Sequence, residues 1–287
     1  SNIAEKLKQN GCAFIYDNEL SFNKSIKSWD ERNSRGFSCE VLNVNKIAKI
    51  TPTINAKFKY AYLSHHWAKV SEPLDIVQGL ANSAKMNGVT FCQEQVSSVC
   101  EKLNSILINF DKGNSKYDAV VIAAGINSVS LAKSLGDFLP MTAERGYNLT
   151  IPLSNIDIDI PIVFADRGIV ATSLTSGLRI GGWAEYAHPS RPANPHYFNS
   201  ISRISQDLFP GLNIENANYW MGSRPSTPDS VPVISKSLKI DRVFYNCGHG
   251  HYGLTHAATS ANLLCSLIEG EQNSAEIKAL SIDRFLY

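Results

Sequence analysis

The chain has 287 residues, 44% of them hydrophobic and 18% charged, and its 27 basic and 26 acidic residues leave a formal net charge of +1. That length and apolar share allow a sizeable core, in one large domain or two smaller ones. Charges of both signs are interspersed without a long run of either, which argues against a nucleic-acid-binding stripe and for a small polar metabolite as partner.

No apolar run approaches the ~20 residues that cross a bilayer, and Ser1 to Gly11 lacks the apolar block and cleavage site of a secretory signal. A cytoplasmic protein is expected, with peripheral membrane attachment left open. Cys12, Cys39, Cys92, Cys100, Cys247 and Cys265 form no CxxC pair and no zinc-site spacing, so reduced and mostly buried thiols are expected. Ser1-Asn2 has the look of a cloning remnant, and Ile3 to Asn10 reads as a helix already under way, so the start reads as cut.

In chain order, Cys12 to Tyr16 reads as a strand, Phe22 to Glu31 as a polar helix, and Asn43 to Thr51 as a helix stopped by Thr51-Pro52. Ser71 is the expected N-cap of an amphipathic helix. Pro73 fits its first turn, Leu74, Val77, Leu80, Ala81 and Ala84 recur at helical spacing, and Asn87-Gly88 ends it. Strands are expected at Val89–Cys92, Val96–Lys102 and Ser105–Phe110. The turn Asp111 to Asn114 then leads to the apolar strand Tyr117–Ala124, Gly125 and a helix through Ser134. This succession predicts an open α/β sheet with a three-stranded excursion.

Short alternating stretches at Tyr147–Ile151, Ile162–Ala165, Ile169–Thr172 and Leu178–Trp183 predict an antiparallel sheet. A helix at Phe198–Leu208 stops at Pro210-Gly211, and strands follow at Asn218–Gly222 and Val243–Asn246. A closing helix spans Thr255 to Glu269.

Three clusters carry candidate chemistry. The turn Cys247 to Thr255 holds Gly248, Gly250 and Gly253 between an apolar strand and the start of a helix. Free backbone N–H groups and a partial positive charge there suit an anion or the electron-rich edge of a heterocycle. A tight turn with surface histidines fits the same residues, and zinc binding by His249, His251 and His256 lacks a nearby thiol or carboxylate in register. In Trp220 to Asp229, Arg224 stands in a nearly apolar, proline-stiffened stretch, where a guanidinium reads a carboxylate through two parallel bonds or pairs with Asp229. Third, Val120 to Gly125 is apolar enough for a fully buried parallel strand ending in small residues.

Together and in this order, VVIAAG, RPSTPD and GHGHYGLT resemble the flavoprotein family that includes D-amino-acid dehydrogenase, glycine oxidase and sarcosine oxidase. Glu144-Arg145-Gly146-Tyr147 and Leu178 to Glu185 look most like its bacterial D-amino-acid dehydrogenase branch. The resemblance runs from about Gly11 to Phe285 and implies an α/β (α+β) fold with an incomplete Rossmann-like FAD-binding sheet and an antiparallel substrate-binding sheet with flanking helices. Residues 71–139 and 226–287 would be the remaining FAD-binding part, and residues 11–70 and 140–225 the substrate-binding domain.

Such proteins open with a strand, a GxGxxG turn and a helix that hold the ADP half of FAD, and this fingerprint is read as missing here. The sheet edges so bared would be covered by an N-terminal fragment, a second copy or a rearrangement.

The resemblance also assigns roles. Arg224 would clamp the carboxylate of a D-amino acid, hydride would pass from Cα to flavin N5, and the imino acid would hydrolyse to a 2-oxo acid and ammonia. His251 and Tyr252 would touch flavin or substrate, and Gly250, Gly253, Leu254 and Thr255 would turn backbone toward the isoalloxazine. Ala124, Gly125 and Gly248 would border the cofactor, Val96 would touch the adenine side, and Tyr147 either borders the pocket or packs. No metal is expected, and electrons would pass to a respiratory acceptor. Glycine or sarcosine as substrate, or a non-catalytic product that only binds small carboxylates, stand as alternatives.

Overall fold

The computed structural model describes residues 3–103, 105–270 and 275–286; Ser1 and Asn2, on which the expectation of a cloning remnant falls, lie outside the described residues. The chain divides into two compact units. The first comprises residues up to Thr90 with Gly146–Ala184 and Pro192–Met221, and the second Phe91–Arg145, Glu185–Arg191 and the residues from Gly222 onward.

The first unit is built on an eight-stranded mixed sheet. Its order is Asn218–Ser226, Thr142–Ile151, Gly177–Tyr186, Ile169–Leu174, Ile162–Phe164, Cys12–Tyr16, Tyr60–Ser64 and Cys39–Leu42. Strand Ile162–Phe164 is the pivot: it pairs antiparallel with its successor, Ile162 opposite Ala171, and parallel with Cys12–Tyr16, Ile162 opposite Ala13. Alternate residues of these strands, among them Ile15, Leu149, Ile162, Ile169 and Ile180, are buried in one cluster with Ile201, Leu208 and Phe209 from the helix Pro195–Leu208 and its end. This is the side-chain period of two that strands impose. Phe14, Tyr16, Phe22, Trp29 and Tyr62 form an aromatic group beneath the helix Glu19–Ser34, and the Trp29 indole donates to the Tyr16 hydroxyl at 2.8 Å.

The second unit holds two three-stranded sheets. Val96–Lys102, Ser105–Phe110 and Gly113–Tyr117 form an antiparallel meander, in which the third strand begins inside the expected turn Asp111 to Asn114 and takes the place expected for Val89–Cys92. Val233–Lys236, Val243–Cys247 and Val120–Ile122 form the other, with Val120–Ile122 at its edge. Val243–Cys247 runs antiparallel to the first, Val233 opposite Cys247, and parallel to the last, Tyr245 opposite Ile122. Their core joins Ile122, Leu135, Leu139, Val233, Val243 and Tyr245.

Several local expectations differ from the structure: of the six thiols expected to be mostly buried, only Cys12 and Cys247 are, because the others lie on strands, a loop and a helix at the surface. Val89–Cys92 forms no strand; Val89 and Phe91 are exposed, and β-branched residues make a strand only where a neighbour offers a ladder. Ile3–Asn10 is a single 3-10 turn followed by Leu7–Lys8, which pairs with Lys69–Val70, because so short a run cannot nucleate a helix. The helix Pro73–Met86 is capped by Glu72 rather than Ser71, without a side-chain capping bond, since the Ser71 amide is drawn to the Lys6 carbonyl. The stretch Tyr117–Ala124 is not one buried strand. Its start belongs to the meander, only Val120–Ile122 joins the second sheet, and Val121 is 40% exposed.

Among the described residues no helix is long and apolar enough to cross a membrane.

Candidate functional site

The glycine-rich turn and the arginine stretch meet within the second unit. After the buried strand end at Cys247, Gly248 turns the chain with φ +76°, and a Cβ there would lie 2.8 Å from Thr227 Cγ2 and 3.2 Å from Met141 Sδ. Only glycine satisfies both the left-handed backbone and that close approach. Gly250–Tyr252 makes one 3-10 turn, and the helix Gly253–Ile268 starts with Tyr252 at its N-cap and no side chain bonded to its first N–H groups. An antiparallel bridge between Ser226 and His249 holds the end of the arginine strand against this turn.

Gly248-His249-Gly250-His251-Tyr252-Gly253 itself has the spacing GxGxxG between a strand and a helix, which corrects the reading that the fingerprint is missing. The letters alone do not make a dinucleotide unit here. Among the described residues Gly253–Ile268 is followed only by the helices Ala275–Ala279 and Ile282–Phe285, with no second parallel strand to complete a βαβ crossover.

Arg224 is 30% exposed through its side chain, and its Nη1 is buried with no hydrogen-bond partner among the described residues. Nη1 lies 3.9 Å from Glu144 Oε1, an ion pair too long to be a hydrogen bond. Burial pulls the guanidinium below its usual range, and the Glu144 charge pulls it back. The alternative pairing with Asp229 is not what forms: Asp229 is held by Arg284 at 2.8 Å.

Sequence reasoning missed Glu144, noted only as part of a resembling stretch. The signal was available as an acidic residue in a strand, Thr142–Ile151, whose other members are mostly buried. Glu144 is 7% exposed; its Oε1 accepts from His251 Nε2 at 2.5 Å and its Oε2 from the Ser226 hydroxyl at 2.9 Å. Burial pushes its carboxyl up, but the His251 and Ser226 hydrogen bonds and the charges of His251 and Arg224 outweigh it and hold it below the carboxylate range.

The remaining predicted residues separate into two groups. His251, Tyr252, Gly253, Leu254 and Thr255 are exposed on the turn and first helical residues, with Gly250 half-buried, while the Tyr252 and His256 rings stack at 5.5 Å. Ala124 and Gly125 stand at the end of the edge strand that pairs with Val243–Cys247, Ala124 exposed and Gly125 partly so. Val96 opens the meander, packed against the second unit's core. Tyr147 belongs to the first unit and packs: it is 1% exposed, against Tyr197 and Phe198. His249 is turned away toward Ser260, at 2.8 Å.

The fit to a flavin can be judged from these residues. The helix Gly253–Ile268 presents N–H groups that no side chain caps, a Cβ at Gly250 would meet nothing closer than Ser226 Oγ at 3.5 Å, and a Cβ at Gly125 would meet open space. Backbone can therefore approach a bound heterocycle or anion at both places, and the residues fit the group.

An unsaturated guanidinium, a buried carboxylate and a bare helix entrance thus come together beside a parallel strand pair on an α/β scaffold. The sequence model of the DAO family, described as FAD dependent oxidoreductase, matches residues 2–267, and the chain belongs to that family. A protein named D-amino-acid oxidase from Bradyrhizobium diazoefficiens is 26% identical over 295 residues, covering 100% of this chain and 69% of that protein. A D-amino acid dehydrogenase from Cereibacter sphaeroides is 34% identical over 216 residues, covering 72% of this chain and 49% of its own length.

The chain thus spans between about half and about seven-tenths of these two relatives. Among solved structures, glycine oxidase from Geobacillus kaustophilus superposes with a TM-score of 0.84 at 18% identity, covering 97% of this chain and 76% of that one. L-proline dehydrogenase from P. horikoshii gives 0.82 at 18% identity, covering 98% and 77%. The mixed α/β fold is that of these oxidoreductases.

Proposed function

We propose that this chain carries the substrate-binding site and part of the cofactor site of an FAD-dependent oxidoreductase that oxidatively deaminates D-amino acids. The observation that carries it is Arg224, a partly exposed cation whose buried Nη1 finds no hydrogen-bond partner among the described residues, beside the glycine-rich helix entrance. Such a guanidinium binds a carboxylate through charge-assisted bonds and fixes the orientation of the rest of the molecule. Gly248, Gly250 and the first N–H groups of Gly253–Ile268, with Ala124 and Gly125, would hold FAD. When bound, FAD supplies the hydride acceptor by which a Cα–N bond is oxidised to an imine that water hydrolyses to a 2-oxo acid and ammonia.

Residues 71–139 and 226–287 take the cofactor role and residues 11–70 and 140–225 the substrate role. Two strands of the parallel pair, Val120–Ile122 and Val243–Cys247, support the first assignment, and the eight-stranded sheet supports the second. The uncovered edge at Val120–Ile122 takes a further polypeptide segment, from an N-terminal fragment or a second copy. Names of relatives support D-amino acids, and the fold shared with glycine oxidase keeps glycine and secondary amines in the test.

The test uses the full-length, flavin-containing protein with an artificial dye acceptor and a panel of D- and L-amino acids, glycine and sarcosine. Turnover of D-amino acids is expected. Arg224→Ala should raise KM at least about tenfold, since charged hydrogen bonds contribute about 1.5–3 kcal/mol each. Turnover of glycine and sarcosine alone would replace the substrate class, a missing flavin spectrum would leave only carboxylate binding, and an unchanged KM would move the carboxylate site elsewhere.

A further inference from the structure

This inference rests on the reading of Arg224 as the carboxylate reader and concerns the other end of the same substrate. An ionised carboxylate has only acceptors, so in the 2.5 Å contact between Glu144 Oε1 and His251 Nε2 the hydrogen belongs to Nε2. A neutral His251 ring then keeps its lone pair on Nδ1, which has no hydrogen-bond partner among the described residues, and the side chain is 51% exposed. Glu144, by contrast, is buried and pinned from its second oxygen by Ser226. A fixed carboxylate that sets one ring nitrogen as donor and frees the other as acceptor is the arrangement of a positioned base.

We propose that Glu144 and His251 form a carboxylate–imidazole dyad in which His251 Nδ1 takes a proton from the substrate's ammonium group, with Glu144 as the positioning residue. In that step one N–H bond of the ammonium breaks and an Nδ1–H bond forms; no electrons change hands. The product is the neutral amine, whose lone pair lets Cα–H depart with its electron pair.

Charged groups surround the ring. Facing His251 are Glu144 and, beyond it at 3.9 Å from Oε1, Arg224, while Tyr252 lies beside it on its own turn with ring centroids 6.5 Å apart. Arg224 opposes a positive charge on the ring and Glu144 favours it. A substrate carboxylate that pairs with Arg224 offsets the guanidinium charge on that side of the ring. After transfer, the cationic Arg224 and His251 and the anionic Glu144 sum to one positive charge opposite one negative amino-carboxylate.

The experiment uses the full-length flavin-containing protein and three readouts. Ring ¹⁵N shifts of His251 should place the hydrogen on Nε2, and Glu144→Gln, whose amide donates to the ring, should shift it toward Nδ1. With D-alanine, His251→Asn should lower kcat/KM about 100-fold or more at neutral pH, as removal of a general base does. The loss should shrink as pH climbs toward ionisation of the substrate's own amine. Because His251 is half exposed, that variant should fold even if a change at buried Glu144 does not.

Benzoate, a carboxylate without an amine, separates carboxylate reading from proton transfer. If it still binds to Arg224→Ala as tightly as to the parent, the underlying reading of Arg224 fails. If its binding needs Arg224 while His251→Asn keeps the parental pH profile, or the ring hydrogen is on Nδ1 in the parent, the dyad is overturned.

Discussion

Replacing Gly248 by alanine probes the turn on which the site is built, and its cost can be worked from geometry. The backbone there has φ +76°, a conformation that costs an L-residue about 1–2 kcal/mol. The new Cβ would also stand 2.8 Å from Thr227 Cγ2 and 3.2 Å from Met141 Sδ, and overpacking of this kind costs about 1–3 kcal/mol more. Gly248→Ala should therefore lose about 2–5 kcal/mol. Gly250→Ala is the control: its φ is +51° but its nearest neighbour, Ser226 Oγ, is 3.5 Å away, so only the conformational loss of about 1–2 kcal/mol applies.

Urea unfolding followed by tryptophan fluorescence and circular dichroism reads both losses from the midpoints, provided the slopes are unchanged. Thr227→Ser removes the Cγ2 methyl and keeps the hydroxyl bonded to the Val231 carbonyl at 2.9 Å. It should recover at least about 0.5 kcal/mol in the Gly248→Ala background, the lower end of coupling between touching residues. Equal losses at positions 248 and 250 with no recovery would show that backbone strain alone matters and that the packing argument is mistaken.

Asp137 is buried and accepts from the Ser237 hydroxyl at 2.5 Å, the Tyr245 hydroxyl at 2.7 Å and the Leu238 amide at 3.1 Å. Asp137→Ala strips three donors at about 1–3 kcal/mol each and should cost at least about 3 kcal/mol by urea unfolding, with Asn, which keeps one acceptor oxygen, losing less. Burial, and then the charge of His256, hold His249 below its ordinary value. The unfolded chain therefore binds more protons, and this residue's contribution to stability should be full above about pH 6.5 and fall as pH drops below it. His249→Asn should flatten thermal stability across that window, whereas a slope identical to the parent's would remove His249 as its source. Burial pushes the thiols of Cys12 and Cys247 up to about 12, while Cys92 and Cys265 are exposed. Maleimide at neutral pH should label Cys92 and Cys265 first, and rapid labelling of Cys247 in the folded protein would mean that the strand end beneath Gly248 is open.

The parts of this molecule that announce themselves in sequence are those where local chemistry decides. Pro73 with Leu74 to Ala84 marked the helix almost to the residue, and glycines at 248, 250 and 253 marked a turn in which the first two take a positive φ. Legibility failed where distant partners decide. Strands Tyr60–Ser64 and Cys39–Leu42 exist because Cys12–Tyr16 pairs with the first and the first with the second, and their own residues carry little alternation.

Val89–Cys92 has strand-forming residues but joins no sheet among the described residues, so propensity there was not enough. Arg224 stood out because a charge in an apolar stretch demands a reason. Its companion Glu144 lies 80 positions earlier, and sequence alone could not bring the two strands together or reveal that the guanidinium ignores nearby Asp229 in favour of it. The GxGxxG letters at 248–253 show the converse failure, a pattern whose meaning depends on whether a second parallel strand comes after the helix.

One carboxyl group with two oxygens answers to a hydroxyl, an imidazole and a guanidinium at once. Substitutions at Ser226, Arg224 and His251 are then bound to be epistatic, since each change alters what Glu144 offers the others. Any route by which this pocket acquires a new preference must pass through coordinated replacements, and single exchanges introduced by design or by drift will be judged by the company they keep.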